Sequence, residues 1–102
     1  MPRFQKKPVV IDAVQFVGSN WHELTSFVPF IDDHTPGFRS LVTAEFENGR
    51  LHVAEVYDEI HDTWVKVATG DWIIRGLKGE FYPCESAVFG ESYIPAPGTL
   101  AA

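Results

Sequence analysis

Read by the period of its apolar residues, the chain separates into strand-like stretches with one short helical stretch among them. PVVIDAVQFVG, residues 8–18, is rich in β-branched side chains and apolar on both alternation classes. Val10, Val14 and Phe16 fall on one class, and Val9, Ile11, Ala13 and Val17 on the other. That pattern predicts a central strand, or one covered on both faces. SNWHELTSFVPF then changes period: Trp21, Leu24, Phe27 and Val28 make one stripe on a short helix. Ser19 or Asn20 is placed to cap it without a full capping box, since His22 stands three residues after Ser19. Pro29 ends the helix or bends it, and IDDHTPGFRS after it reads as a turn-rich connection.

The strongest local signal is LVTAEFENGRLHVAEVYDEI. Asn48-Gly49 suits a two-residue type I′ turn, because both residue types tolerate positive φ. Counting outward pairs Glu47 with Arg50, Phe46 with Leu51, Glu45 with His52 and Ala44 with Val53. The first and third pairs would place complementary polar groups outside, and the second and fourth would place apolar groups inside. TWVKV resumes alternation further on, with its inward parity left open.

GDWIIRGLKGEFYPC predicts a second hairpin. With Gly76-Leu77-Lys78-Gly79 as the loop, Arg75 meets Glu80, Ile74 meets Phe81 and Ile73 meets Tyr82, which puts Trp72, Ile74 and Phe81 on one inner face. Pro83 can open a short helix, PCESAVFG, that Gly90 terminates, and ESYIP would supply a last edge strand. The expected class is α+β: a small antiparallel sheet, strongly twisted or barrel-like, with one or two short helices.

Composition narrows this further. A chain of 102 residues, 45% hydrophobic and 22% charged, has material for one core, so residues 1–102 are read as a single domain with flexible ends at 1–7 and 96–102. Its one cysteine excludes an intramolecular disulfide, and no run approaches the roughly 18 to 20 apolar residues of a membrane span. Arg3, Lys6 and Lys7 are not followed by the apolar stretch of a signal peptide, so the cytoplasm is the default compartment.

The net charge of -6 is uneven. From Asp32 to Asp62 stand eight carboxylates against only Arg39 and Arg50, equal to the whole excess. Direct nucleic-acid binding is disfavoured, because phosphate backbones are held by cations.

Several constellations invite a chemical reading, and each has a plainer one. Asp32, Asp33 and His34 resemble metal ligands but sit beside a proline and glycine, where solvated turn residues are commoner. GLKG lacks the GxxxxGK[ST] spacing of a phosphate loop. Cys84 at a helix start could be a reactive thiol, yet a small buried residue at a strand-to-helix junction accounts for it. Asp58, Glu59, His61 and Asp62 have neither calcium-loop nor HExxH spacing. No catalytic, metal or cofactor site is assigned.

GDWIIRGLKGEFYPCESAVFGESYIP resembles the C-terminal signature of a widespread group of small phage and prophage proteins of unassigned function. The opening IDAVQFVGSN, Ile11 to Asn20, is similar to theirs as well. The match spans Gly70 to Gly76, Gly79 to Cys84, and Val88 and Phe89 with Ser92 and Tyr93; it departs at Glu85-Ser86, where related proteins often carry lysine and proline. The resemblance implies a phage or prophage gene acting in the cytoplasm of a bacterial host, and carries no catalytic residues with it.

The resulting expectation is a non-enzymatic accessory protein that binds a host or phage protein. Its surface would include Glu55, Asp58, Glu59, His61, Asp62 and Trp64, where charge steers an encounter and an aromatic anchors it. A virion or assembly component, homo-oligomeric or not, is the first alternative. An acidic mimic of nucleic acid and a small enzyme using His61 as base are the others.

Overall fold

Two three-stranded antiparallel sheets and two short helices make up the computed structural model, which describes residues 2–4 and 9–96. In chain order the elements are β1 (Asp12–Gln15), α1 (Trp21–Phe27), β2 (Phe38–Glu47), β3 (Arg50–Asp58), β4 (Thr63–Ala68), β5 (Trp72–Arg75), β6 (Phe81–Cys84) and α2 (Ser86–Ser92). One sheet has the order β1-β5-β6 and the other β2-β3-β4. The class is the expected antiparallel α+β, but the strands divide between two sheets and do not close into a barrel. Of the ends expected to be flexible, residues 1, 5–7 and 97–102 lie outside the described residues.

One core draws on both sheets and on α1. Phe16, Leu24, Phe38, Ala54, Val56, Val67, Ile73 and Phe81 are all buried in it. The helix forms where the period changed: Leu24 and Val28 are buried, Trp21 and Phe27 pack against the core, and Pro29 follows. Phe16 meets Trp21 and Phe38 edge-on at 4.8 and 5.3 Å, and Phe27 meets Phe81 at 5.4 Å. Such edge-to-face pairs add about 0.5 to 1.5 kcal/mol each beyond their buried area. Asn20 precedes α1 without capping it by a side-chain bond. Its Oδ1 accepts from the Val17 N–H, and its Nδ2 donates to the Gln15 carbonyl.

The sheets are joined at Asp71, which is 2% exposed. Its Oδ2 accepts from the Ala68 N–H at 3.0 Å, its Oδ1 pairs with the Arg50 guanidinium, and its carbonyl accepts from the Phe16 N–H at 2.8 Å. Arg50 also reaches Glu85 at 3.2 Å. One aspartate therefore ties the end of β4, the start of β3 and the chain beyond β1 to the entry of β5.

Four expectations are corrected. The first concerns β1, which spans only four residues at the edge of its sheet. Val9 and Val10 before it are exposed, and β5 takes the central place, with Ile73 and Ile74 buried on its two faces.

Second, the β2–β3 hairpin has the expected turn, with φ of 52° at Asn48 and 74° at Gly49, and three of the four counted pairs. Its expected inner face is not covered, and of the expected outer residues Glu45 and Glu47 stay exposed. Phe46 and Leu51 are 74% and 52% exposed, while His52 is buried. The core engages β2 only at Phe38 and β3 only from Val53 onward, so the far end of the hairpin outruns any layer that would cover it. Ala44 and Val53 do not pair. From Ser40↔Ala54 to Glu45↔His52 the chain takes five steps along β2 and two along β3, a large bulge.

Third, the β5–β6 hairpin is one residue out of the counted register: Arg75 faces Phe81, Ile74 faces Tyr82 and Ile73 faces Pro83. The loop runs to Glu80 because the Gly76 N–H donates to the Glu80 carbonyl at 2.7 Å. Arg75 pairs with Asp12 across the sheet, not with Glu80. The slip splits the expected inner trio, since Phe81 faces the core with Ile73 while Trp72 and Ile74 share the opposite face with Tyr82. There Phe89 stacks on Trp72 at 4.2 Å and Tyr93 continues the stack at 4.9 Å, so α2 covers that face.

Fourth, Pro83 lies inside β6 and not at a helix start. On an edge strand its missing N–H removes no necessary ladder bond. Gly90 lies within α2 and does not end it, and Glu91 and Ser92 are helical, so no last strand forms.

Two outcomes follow from this packing. Arg50→Met leaves the buried Asp71 carboxylate without its cation and should cost about 3 to 5 kcal/mol; adding Asp71→Asn should restore part of it, which chemical denaturation measures. Alanine should act oppositely at two glycines. A Cβ at Gly37 would stand 2.4 Å from the Pro29 carbonyl oxygen, whereas one at Gly90 meets nothing within 4 Å. Gly37→Ala should destabilise by about 1 to 3 kcal/mol, and Gly90→Ala should stabilise by about 0.5 to 1 kcal/mol.

Candidate functional site

The β3–β4 connection is a tight turn shaped by its own carboxylates. Asp58 pairs with Thr63 at its base. The Asp58 Oδ1 accepts from the Ile60 and His61 N–H groups at 3.0 and 3.2 Å, and its Oδ2 lies 2.7 Å from the His61 Nδ1. The hydrogen bond from the His61 ring is the main cause holding the Asp58 carboxyl below its ordinary range; the two backbone N–H groups add to it. At Asp62 the chain turns with φ of 49°, and the Asp62 carboxylate accepts a hydrogen bond from the Tyr57 hydroxyl, which pushes the phenol pKa up.

Beside the turn lies the outer face of the β2-β3-β4 sheet. Arg39 donates to Glu55 at 2.7 Å, and its guanidinium sits 3.8 Å from the Trp64 ring centre. Tyr57 and Trp64 are cross-strand neighbours with ring centres 5.5 Å apart. Lys66 bridges to Glu45 at 3.3 Å and Glu47 at 3.2 Å, and those carboxylates raise its pKa.

Of the six residues expected to form a binding surface, Asp58, Glu59, His61 and Asp62 are brought together in the turn. Glu55 and Trp64 stand apart on the sheet face, linked to each other through Arg39. Three of the four carboxylates are already engaged: Glu55 by Arg39, Asp58 by the turn and His61, and Asp62 by Tyr57. Glu59 makes no hydrogen bond or ion pair among the described residues. Arg39, Tyr57 and Lys66 were missed in the sequence reading. Counting outward from a four-residue turn at 59–62 would have paired Tyr57 with Trp64, but that turn carries no Asn-Gly signature to start the count.

A second feature adjoins the turn. Ile60, at its tip, lines an open groove of 690 Å³ together with Ile11, Leu77, Tyr82, Tyr93 and Ile94. Ile60, Leu77 and Ile94 are 51%, 76% and 88% exposed. These residues come from four separated stretches of chain, and each looks ordinary where it stands in the sequence.

The chemical alternatives resolve locally. The Asp32 carboxylate accepts from the His34 and Thr35 N–H groups, both at 2.8 Å, and the bond from His34 chiefly lowers its pKa. It is a turn-forming side chain. In the loop after β5 the Gly79 N–H donates to the Gly76 carbonyl and the Lys78 N–H to the Glu80 carboxylate, so these donors are taken by the chain itself. Burial, and then the Asp71 and Glu85 carboxylates, push the Cys84 thiol up, opposite to what a nucleophile needs. Among the described residues no three His, Cys, Asp or Glu side chains converge to hold a metal ion, and no helix is long and apolar enough to cross a membrane.

Compared with family models, with curated proteins and with solved structures, the chain matches none.

Acid should open the turn. A carboxyl whose folded pKa lies below the unfolded value of about 3.9 contributes stability that is present above that value and lost as pH falls through the folded pKa. The Ile60 and His61 amide resonances should therefore move toward unfolded positions with a midpoint below about 3.9. Asp58→Asn should abolish that step in an NMR titration.

Proposed function

We propose that this chain is a non-enzymatic accessory protein of phage or prophage origin, acting in the cytoplasm of a bacterial host by binding a host or phage protein. The observation that carries this reading is the juxtaposition of an exposed acidic turn, whose Glu59 carboxylate has no partner among the described residues, and an open apolar groove that begins at the next residue, Ile60. Apolar surface supplies the area a partner desolvates, and the charge beside it steers and orients the encounter. The resemblance of Gly70 to Tyr93 to small phage proteins supports the provenance.

Catalysis draws less support. The ring of His61 is engaged with Asp58 on an open turn, and burial pushes the Cys84 thiol pKa up. Mimicry of nucleic acid is weakened by Arg39 and Lys66, which neutralise carboxylates on the outer sheet face where an extended negative surface would be needed. A role in particle assembly has one observation in its favour. The far end of the β2–β3 hairpin presents Phe46 and Leu51 beyond the core, a shape suited to a neighbouring subunit.

Affinity isolation from the bacterial host, followed by kinetics on the recovered partner, tests the proposal. Glu59→Lys should slow association and weaken its salt dependence, while Phe46→Ser on the distant hairpin should leave both unchanged. An unchanged association rate in Glu59→Lys would remove the turn from the binding surface. Loss of binding in Phe46→Ser alone would favour assembly through the hairpin.

A further inference from the structure

We infer that the groove beside the acidic turn takes an extended peptide segment of the partner, one that carries an apolar side chain flanked by lysine or arginine. This rests on the proposed binding function and names the chemistry of what is bound.

The volume of the groove, 690 Å³, is in the range of about 300 to 1,000 Å³ of pockets that take drug-sized ligands, so it has room for a side chain together with the backbone that carries it. It is open to solvent and does not enclose its contents, which suits a passing chain better than a small molecule. Ile60, Leu77 and Ile94 stand exposed around it, and Tyr82 and Tyr93 supply aromatic surface. Bulky apolar groups gathered about one concavity are a surface that a single inserted side chain can desolvate.

Charge selects the flanking residues. Asp58, Glu59 and Asp62 lie in the turn that carries Ile60, and Glu80 lines the groove; among the described residues Lys78 is the one lysine or arginine lining it. Asp58 and Asp62 are partly satisfied by His61 and Tyr57, while Glu59 is not. A second copy of this chain would bring its own net charge of -6, and an acidic segment would meet the same repulsion. A basic segment is attracted, and its lysine or arginine stems can lie along the apolar walls while their charges reach the rim.

The probe is a short glycine-serine peptide bearing one leucine flanked on both sides by arginines, titrated into the full chain and followed by amide NMR. It should move the resonances of Ile60, Leu77 and Ile94, and bind about tenfold less tightly when its leucine becomes glycine or when the protein carries Leu77→Asp. A probe with glutamates for arginines should not bind. Leu77 and Ile60 are exposed, so Leu77→Asp and Ile60→Asp should keep the core amide pattern of the folded protein.

Absence of binding, equal binding of the glycine or glutamate probe, or affinity unchanged in both Leu77→Asp and Ile60→Asp would overturn the inference. The two readings fail separately. A partner lost in Glu59→Lys but kept in Leu77→Asp would leave the binding turn and remove the groove. Probe binding without any cellular partner would leave the groove and remove the proposed function.

Discussion

A buried carboxylate governs how this small protein is put together. Asp71 enters the interior of the molecule where β4 ends and β5 begins, and a charge there is tolerable only if its oxygens are satisfied. The Ala68 N–H and the Arg50 guanidinium do that, and they belong to the second sheet, while the Asp71 carbonyl receives the Phe16 N–H from the first. One residue thus brings two short sheets together at a defined point, its side chain bonded to the second and its carbonyl to the chain beyond β1. Phe16, Phe38, Val56, Val67, Ile73 and Phe81 can then close over each other as one core. Arg50 also holds Glu85, so the same contact reaches the lead into α2.

The core formed this way is smaller than the sheet that borders it. Packing ends at Phe38 on β2 and at Val53 on β3, and beyond Phe38 the β2 strand continues with both faces largely in solvent. The bulge between Ser40 and Glu45 breaks the regular edge that such a strand would offer for indiscriminate pairing. At the opposite end of β3, the turn at 59–62 is held by short-range polar bonds that leave Ile60 facing outward. The proposed binding surface therefore rests on a self-sufficient turn and on a groove assembled around it, with the core left to stability.

Legibility of the candidate site followed the range of the interactions involved. The acidic residues were visible because they cluster in sequence, and Trp64 because it is large and aromatic. That Asp58 and Asp62 are largely consumed in shaping the turn depends on where the Ile60 amide, the His61 ring and the Tyr57 hydroxyl come to lie. The groove was not visible at all. Ile11, Ile60, Leu77 and Ile94 share no period and no spacing, and only the meeting of two hairpins with the chain on either side of them makes a concavity.

What the sequence determined by itself is what short-range chemistry can decide. The Asn48-Gly49 turn, the stripe of Trp21, Leu24, Phe27 and Val28, the stop at Pro29, and the antiparallel α+β class all follow from φ preferences and local periodicity. Tertiary structure alone decided which faces are covered. Phe46 with Leu51 and Ile73 with Ile74 are equally apolar on paper, yet the first pair lies in solvent and the second is buried. The register of β5 on β6 likewise turned on one loop hydrogen bond, from Gly76 to Glu80, and a one-residue slip moved Trp72 and Ile74 from the core side to the face under α2. Alternation says that two faces differ; only the position of the other sheet and the helices says which of them is inside.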